Sequence, residues 1–255
     1  MTYAVLALAI ACAIRGLWSP CGLSMLSTIT PLAERSRGHS YRWSICWYLA
    51  GATVGGACLG ACLSAGSALL ALVGPHRVAG SIATATVVLV CLAGDARLGG
   101  LRLPEHPRQV NERWIDRFRP WVYASGFGWQ IGTGVTTYVM TDGIYAMAVA
   151  AICLLAPASA FAIGTAFGLA RGASLLAGSF VTTPGSLRAL HARMVRLAPW
   201  SIAAPTITQV AVLLFLGSST GHPAVVAACA VVGASLATAV LRHARAEASL
   251  SLAAT

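Results

Sequence analysis

Cys21 follows Pro20 directly in RGLWSPCGLSML, Arg15 to Leu26, a stretch inside an otherwise apolar run from Ala4 to Leu32. Proline removes a backbone donor and clashes one turn back, so a helix through this run is expected to kink or stop, freeing carbonyls near Gly16. Gly16 and Gly22 loosen it further. A thiol just after such a break sits near the start of a half-helix, where exposed N–H groups and the positive dipole end favour the thiolate. Arg15 adds positive charge nearby. An arginine at membrane depth costs at least about 2.5–3.5 kcal/mol on insertion scales and is expected to face a cavity or a partner. Cys21, Pro20 and Arg15 are therefore candidates for a reactive-thiol centre. The competing reading makes Arg15 a snorkelling side chain, Pro20 a packing kink and Cys21 a small hydrophobe.

A second constellation lies in GFGWQIGTGVTTYVMT, 126–141. Gly132, Thr133 and Gly134, then Thr136, Thr137 and Thr141, supply flexible backbone and hydroxyls and end at Asp142. Broken membrane helices of this kind coordinate ions or substrates in transporters, which makes Gly132, Thr133, Gly134, Thr136 and Asp142 candidates for such a site. Equally, the threonines can bond back to helix carbonyls and Asp142 can be an interface carboxylate. In AGATVGGACLGACLSAG, 50–66, Gly51 and Gly55, then Gly56 and Gly60, have the spacing that lets helices approach closely. Cys58 and Cys62 lie one turn apart there, but no His or carboxylate accompanies them, so packing rather than metal binding is expected.

The elements that must position these residues are membrane helices. Of 255 residues, 57% are hydrophobic and 9% charged, with mean hydropathy +0.76; soluble domains carry about a quarter charged residues. Seven spans are expected, at about Thr2–Leu32, Trp43–Val73, Val78–Gly94, Tyr123–Thr141, Ile144–Ala170, Trp200–Leu216 and Ala224–Leu241. The connections alternate in charge: Arg35, Arg37 and Arg42, then Arg77 alone, six arginines in 95–120, Asp142 alone, Arg188, Arg193 and Arg196, none, and finally Arg242 and Arg245. The positive-inside rule then puts the N-terminus outside and the C-terminus in the cytoplasm. The first residues lack the basic region of a signal peptide, so the N-terminus is expected to be retained. Two basic connections are amphipathic, VNERWIDRFRPW around Val110, Trp114 and Phe118, and LRALHARMVRL around Leu187, Leu190, Met194 and Leu197; both are expected to lie in the interface. Arg171 is expected to anchor the cytoplasmic end of the fifth span, and Pro157 and Pro205 to kink the fifth and sixth.

The net charge of +10 comes from arginines scattered through short connections, which argues against nucleic acid. Neither the eight cysteines nor the six histidines have the spacing of a disulfide framework, a zinc site or a haem site, so no metal and no cofactor is expected. The bilayer is the one partner the composition demands.

Trp18-Ser19-Pro20-Cys21, about twenty residues into an N-terminal membrane helix, resembles the SPC element of the CcdA and DsbD transmembrane family. The resemblance implies an all-α bundle of two inverted three-helix repeats, 1–94 and 121–217, joined by the cytoplasmic connection 95–120, with the seventh helix as an addition. It also implies a bacterial inner-membrane protein that passes reducing equivalents from a thioredoxin-like protein to extracytoplasmic redox or cytochrome c maturation proteins. In that family each repeat carries a cysteine preceded by proline. Here Trp129 aligns with Trp18, which puts Ile131 and Gly132 where the second Pro-Cys would stand, and the prolines that commonly follow the first cysteine are absent. Two rivals stay open beside the thiol carrier: a non-redox transporter or exporter for small solutes on the same scaffold, and a membrane assembly subunit that uses the glycine-rich second span as its binding face.

Overall fold

The computed structural model describes residues 1–74, 77–101, 103–104, 113–134 and 138–253. Arg102, 105–112 (with Val110) and Thr136 and Thr137, which the sequence singled out, lie outside the described residues. The described residues form eleven α-helices: α1 (Thr2–Arg15), α2 (Pro20–Thr28), α3 (Pro31–Ser36), α4 (Tyr41–Leu72), α5 (Arg77–Asp95), α6 (Trp114–Arg117), α7 (Pro120–Thr133), α8 (Gly143–Leu154), α9 (Pro157–Ala173), α10 (Pro184–Ser218) and α11 (Pro223–Ala253). Among the described residues there is no strand.

Five helical segments are long and apolar enough to cross a bilayer, and α1 with α2 adds a sixth passage bent by 69°. Among the described residues, two more of the seven expected spans are not single continuous helices. The expected span 123–141 stops being helical at Thr133, and the expected span 144–170 is two helices, α8 and α9. The reason is the placement of proline. α2, α3, α7, α9 and α10 all open on proline, whose missing N–H costs nothing at a helix start and whose ring pushes the preceding residue into extended backbone. Ser19 (ψ 156), Thr30 (ψ 159) and Ala156 (ψ 150) show that effect, so Pro20 and Pro157 begin helices rather than kink them. Pro199 and Pro205 instead lie inside α10. That helix is continuous from Thr183, whose hydroxyl closes a capping box with Ser186, so the expected interfacial segment around Leu190 and the sixth span are one element. Of the described residues of the other amphipathic connection, Trp114–Arg117 are helical, Phe118 is extended, and Pro120 and Trp121 open α7.

α4 is the spine. A Cβ on Gly51 or Gly55 would land on backbone of α7 at Ser125 or Trp129, and one on Gly128 or Gly132 would land on backbone of α4 at Tyr48 or Ala52. On the other side Gly56 meets Gly164 and Gly168, and Gly60 meets Phe161 and Gly164, both of α9. The paired numbers rise together along α7 and run oppositely along α9, so α7 is parallel to α4 and α9 antiparallel. Without a hydrophobic force between helices in lipid, this backbone-to-backbone packing through small residues is what holds them. Cys58 and Cys62 sit on the exposed side of the same helix.

α1 runs alongside α9: Gly16 meets Arg171 near both C-terminal ends, and Val5 and Leu8 share a cluster with Ala160 and Ile163. It therefore runs against α7. At the end where α4 begins, Glu34 is fully buried and ties three helices together. Its carboxylate accepts from Ser44 Oγ (2.6 Å), Tyr123 Oη (3.0 Å) and Arg37 Nη1 (3.1 Å), joining α3, α4 and α7. Trp43 meets Trp47 edge to face at 5.7 Å and Trp47 meets Trp121 at a tilt at 5.9 Å beside this knot, as in an aromatic belt.

Candidate functional site

The first break is self-contained. After α1 the chain makes one 3₁₀ turn, Gly16–Trp18, and Ser19 then caps α2. Ser19 Oγ donates to the Gly16 carbonyl (2.7 Å) and accepts from the Gly22 N–H (3.0 Å), so one hydroxyl satisfies the last carbonyl of one helix and an orphan donor of the next. Gly22 is forced by this geometry, because a Cβ there would overlap the carbonyls of Gly16 and Leu17. Cys21 is the second residue of α2 and only 1% exposed.

The cation beside this thiol is Arg171, and this corrects two expectations. Arg171 is 2% exposed, so it is no interfacial anchor; it lies within electrostatic reach of Cys21, Cys12 and Tyr48. A Cβ on Gly16 would strike its guanidinium, and its Cζ lies 5.8 Å from the centre of the Phe167 ring. A void of about 10 Å³, roughly one water in size, lies between Arg171, Gly16, Gly22, Tyr48 and Ile131. Arg15 was expected to support Cys21 but turns elsewhere, donating to Ser201 Oγ at 2.7 Å. One residue of helical rotation separates Arg15 from the Gly16 face, which is enough to aim it at α10 instead.

The second break is longer and is capped by a neighbour. α7 ends at Gly134, whose φ of +69° is the left-handed cap that glycine adopts freely; its N–H reaches the Ile131 carbonyl. Thr133 Oγ1 bonds back to the Gln130 carbonyl (2.8 Å), and a Cβ on Gly132 would meet the backbone of Ala52. The start of α8 is held by Asp95, the last residue of α5. One Asp95 oxygen accepts from the Asp142 N–H (2.8 Å), and the other from Thr141 Oγ1 (2.8 Å) and Gln209 Nε2 (3.3 Å). Thr141 Oγ1 in turn accepts from the Gly143 N–H.

Beside this cap opens a cavity of about 180 Å³ whose walls include Arg15, Asp95, Arg97, Tyr138, Asp142 and His243. Of the sequence candidates, then, Arg15 and Asp142 meet at the cavity, and Cys21 and Pro20 sit at the other break with Arg171. Arg171, Asp95 and Gln209 were missed. Arg171 continues the small-residue face of Gly164 and Gly168 at helical spacing, which was the available signal that it points inward. Among the described residues no cluster of three metal-ligating side chains occurs, and all eight cysteines are thiols.

The chain is similar to curated proteins named methylamine utilization protein MauF. It is 34% identical to that of Paracoccus denitrificans over 170 residues, covering 65% of this chain and 60% of the relative. To that of Paracoccus versutus it is 32% identical over 161 residues (60% and 57%), and to that of Methylobacillus flagellatus 31% over 151 residues (57% and 52%). The chain thus spans less than two thirds of the length of these relatives. No protein-family model and no solved structure matches it.

Proposed function

We propose that this multi-pass membrane protein carries reducing equivalents across a bacterial inner membrane by thiol–disulfide exchange at Cys21, serving an extracytoplasmic redox protein in methylamine utilization, the process for which its relatives are named. The observation that carries the reading is the pairing of a thiol in the first turn of α2 with a wholly buried arginine. The nucleophile of disulfide exchange is a thiolate. The cation that supports Cys21 is Arg171, not Arg15. α1–α2 and α7–α8 act as two broken passages of opposite direction, each followed by two crossing helices, which with α11 makes seven passages and two inverted repeats. A thioredoxin-like protein supplies the electrons.

The test is maleimide trapping of Cys21 in membranes before and after reductant, with Cys229 as internal control. Labelling of Cys21 that depends on reductant is expected; labelling indifferent to it sinks the reading. A second reading, a transporter of small polar solutes, is favoured by the charged cavity around Asp142 and Arg15. It requires Asp142→Ala to abolish function while Cys21→Ala is tolerated.

A further inference from the structure

We propose that the polar cavity at the second break binds a small monocarboxylate, with the Arg97 guanidinium taking the carboxylate and apolar side chains of α10 and α11 taking a short hydrocarbon chain. This deepens the transporter reading, on which it rests, by giving the solute a chemical class.

Arg15 and Arg97 face Asp95 and Asp142 around the cavity, with His243 beside them, so what each charge is already bound to decides what the cavity recognises. Asp95 accepts three hydrogen bonds, from the Asp142 N–H, Thr141 Oγ1 and Gln209 Nε2, and Arg15 lies within its electrostatic reach. The Asp142 carboxylate is turned against α5, where a Cβ on Gly94 would strike one of its oxygens. Arg15 is held by its bond to Ser201 Oγ, whose own proton goes to the Ala198 carbonyl. Both carboxylates are thus engaged within the fold, which leaves little for an ammonium. Arg97 differs from all of these. It is exposed on the cavity wall, and among the described residues its side chain makes no hydrogen bond and no ion pair.

The backbone sets Arg97 apart as well. At φ +50° it is the one non-glycine residue of positive φ among the described residues, and Gly99 (φ +61°) and Gly100 (φ +78°) continue the turn. The left-handed region disfavours a long L side chain, and residues held there gather at ligand sites, where the surrounding fold maintains the strain. This turn, which follows α5, brings both Arg97 and Leu101 onto the cavity wall.

A guanidinium binds a carboxylate through two parallel N–H···O bonds. Asp95 and Asp142 line the same space, so a dianion would meet like charge and a single negative charge is preferred. Leu101, Ile202, Pro205 and Val240 add apolar surface for an alkyl chain. The volume of about 180 Å³, room for several waters, keeps that chain short.

The test is equilibrium dialysis of the purified full chain, in phosphatidylcholine nanodiscs at neutral pH, against radiolabelled propionate at constant ionic strength. One saturable site per chain is expected, with acetate and butyrate competing and glycine, propylamine and sulfate failing to compete. Arg97→Asn suits the left-handed turn but lacks the charge, so it should weaken binding about tenfold or more without lowering the thermal midpoint. Arg97→Lys should recover part of that loss. Ile202→Phe, which narrows the apolar wall, should exclude butyrate before acetate. Preference for glycine, sulfate or propylamine overturns the inference, as does affinity indifferent to Arg97→Asn or an Ile202→Phe chain that treats acetate and butyrate alike. Propionate binding without propionate flux in proteoliposomes leaves the site standing and sinks the transporter reading. Flux of other polar solutes with no propionate binding does the reverse.

Discussion

The two breaks solve one problem in opposite ways. A helix interrupted inside a membrane exposes carbonyls and N–H groups that lipid cannot satisfy. At the first break a single hydroxyl does the work: Ser19, adjacent to Pro20, bonds to both Gly16 and Gly22. At the second, Thr141 and the carboxylate of Asp95, about forty-six positions away in sequence, hold the start of α8. One break is encoded locally and the other only in the folded bundle. The first needs few residues and keeps its thiol under tight control; the second leaves room for a charged cavity.

The comparison is most severely tested at the spine that holds both breaks in register. Gly132→Leu or Gly56→Leu should remove folded protein altogether, because the added side chain meets backbone and overpacking already costs about 1–3 kcal/mol where neighbours can yield. Size-exclusion chromatography in detergent reads this directly; a monodisperse Gly132→Leu chain would show the spine to be looser than described. Next in size is Asp95→Ala, which strands the Asp142 N–H, the Thr141 hydroxyl and the Gln209 amide. A loss of about 2–3 kcal/mol is expected, seen as a fall in thermal midpoint. Ser19→Ala should cost less, about 1 kcal/mol, the usual value of an N-cap. If Ser19→Ala proves the costlier of the two, the division into a local and a tertiary break fails. The smallest effect belongs to Cys58→Ser and Cys62→Ser, on the exposed side of α4, which should leave the midpoint within about 0.5 kcal/mol of the parent.

How much of this was legible follows the same division. Helical membrane character, the break at Pro20, and the close-packing role of Gly51, Gly55, Gly56 and Gly60 are written in composition and short-range spacing. The start of α9 at Pro157 was visible as a proline but was taken for a kink, because periodicity cannot tell a kinked span from two helices meeting end to end. Arg171 was read as an anchor at a span end, and Asp95 was not singled out. Only the packing of α5 against α8, and of α9 against α1, turns those ends inward, and such pairings are set by the whole bundle rather than by any window of sequence. The nearness of Arg15 to Cys21 in sequence misled for a smaller reason: one residue of helix phase decides which side of α1 a charge occupies.

The Glu34 knot makes one end of the bundle its anchor. With α3, α4 and α7 pinned there by a single buried carboxylate, and with α4 packed on α7 and α9 through glycine, the three helices are held at that end by hydrogen bonds and along their length by backbone contact. Loss of the one carboxylate would therefore release all three helices together.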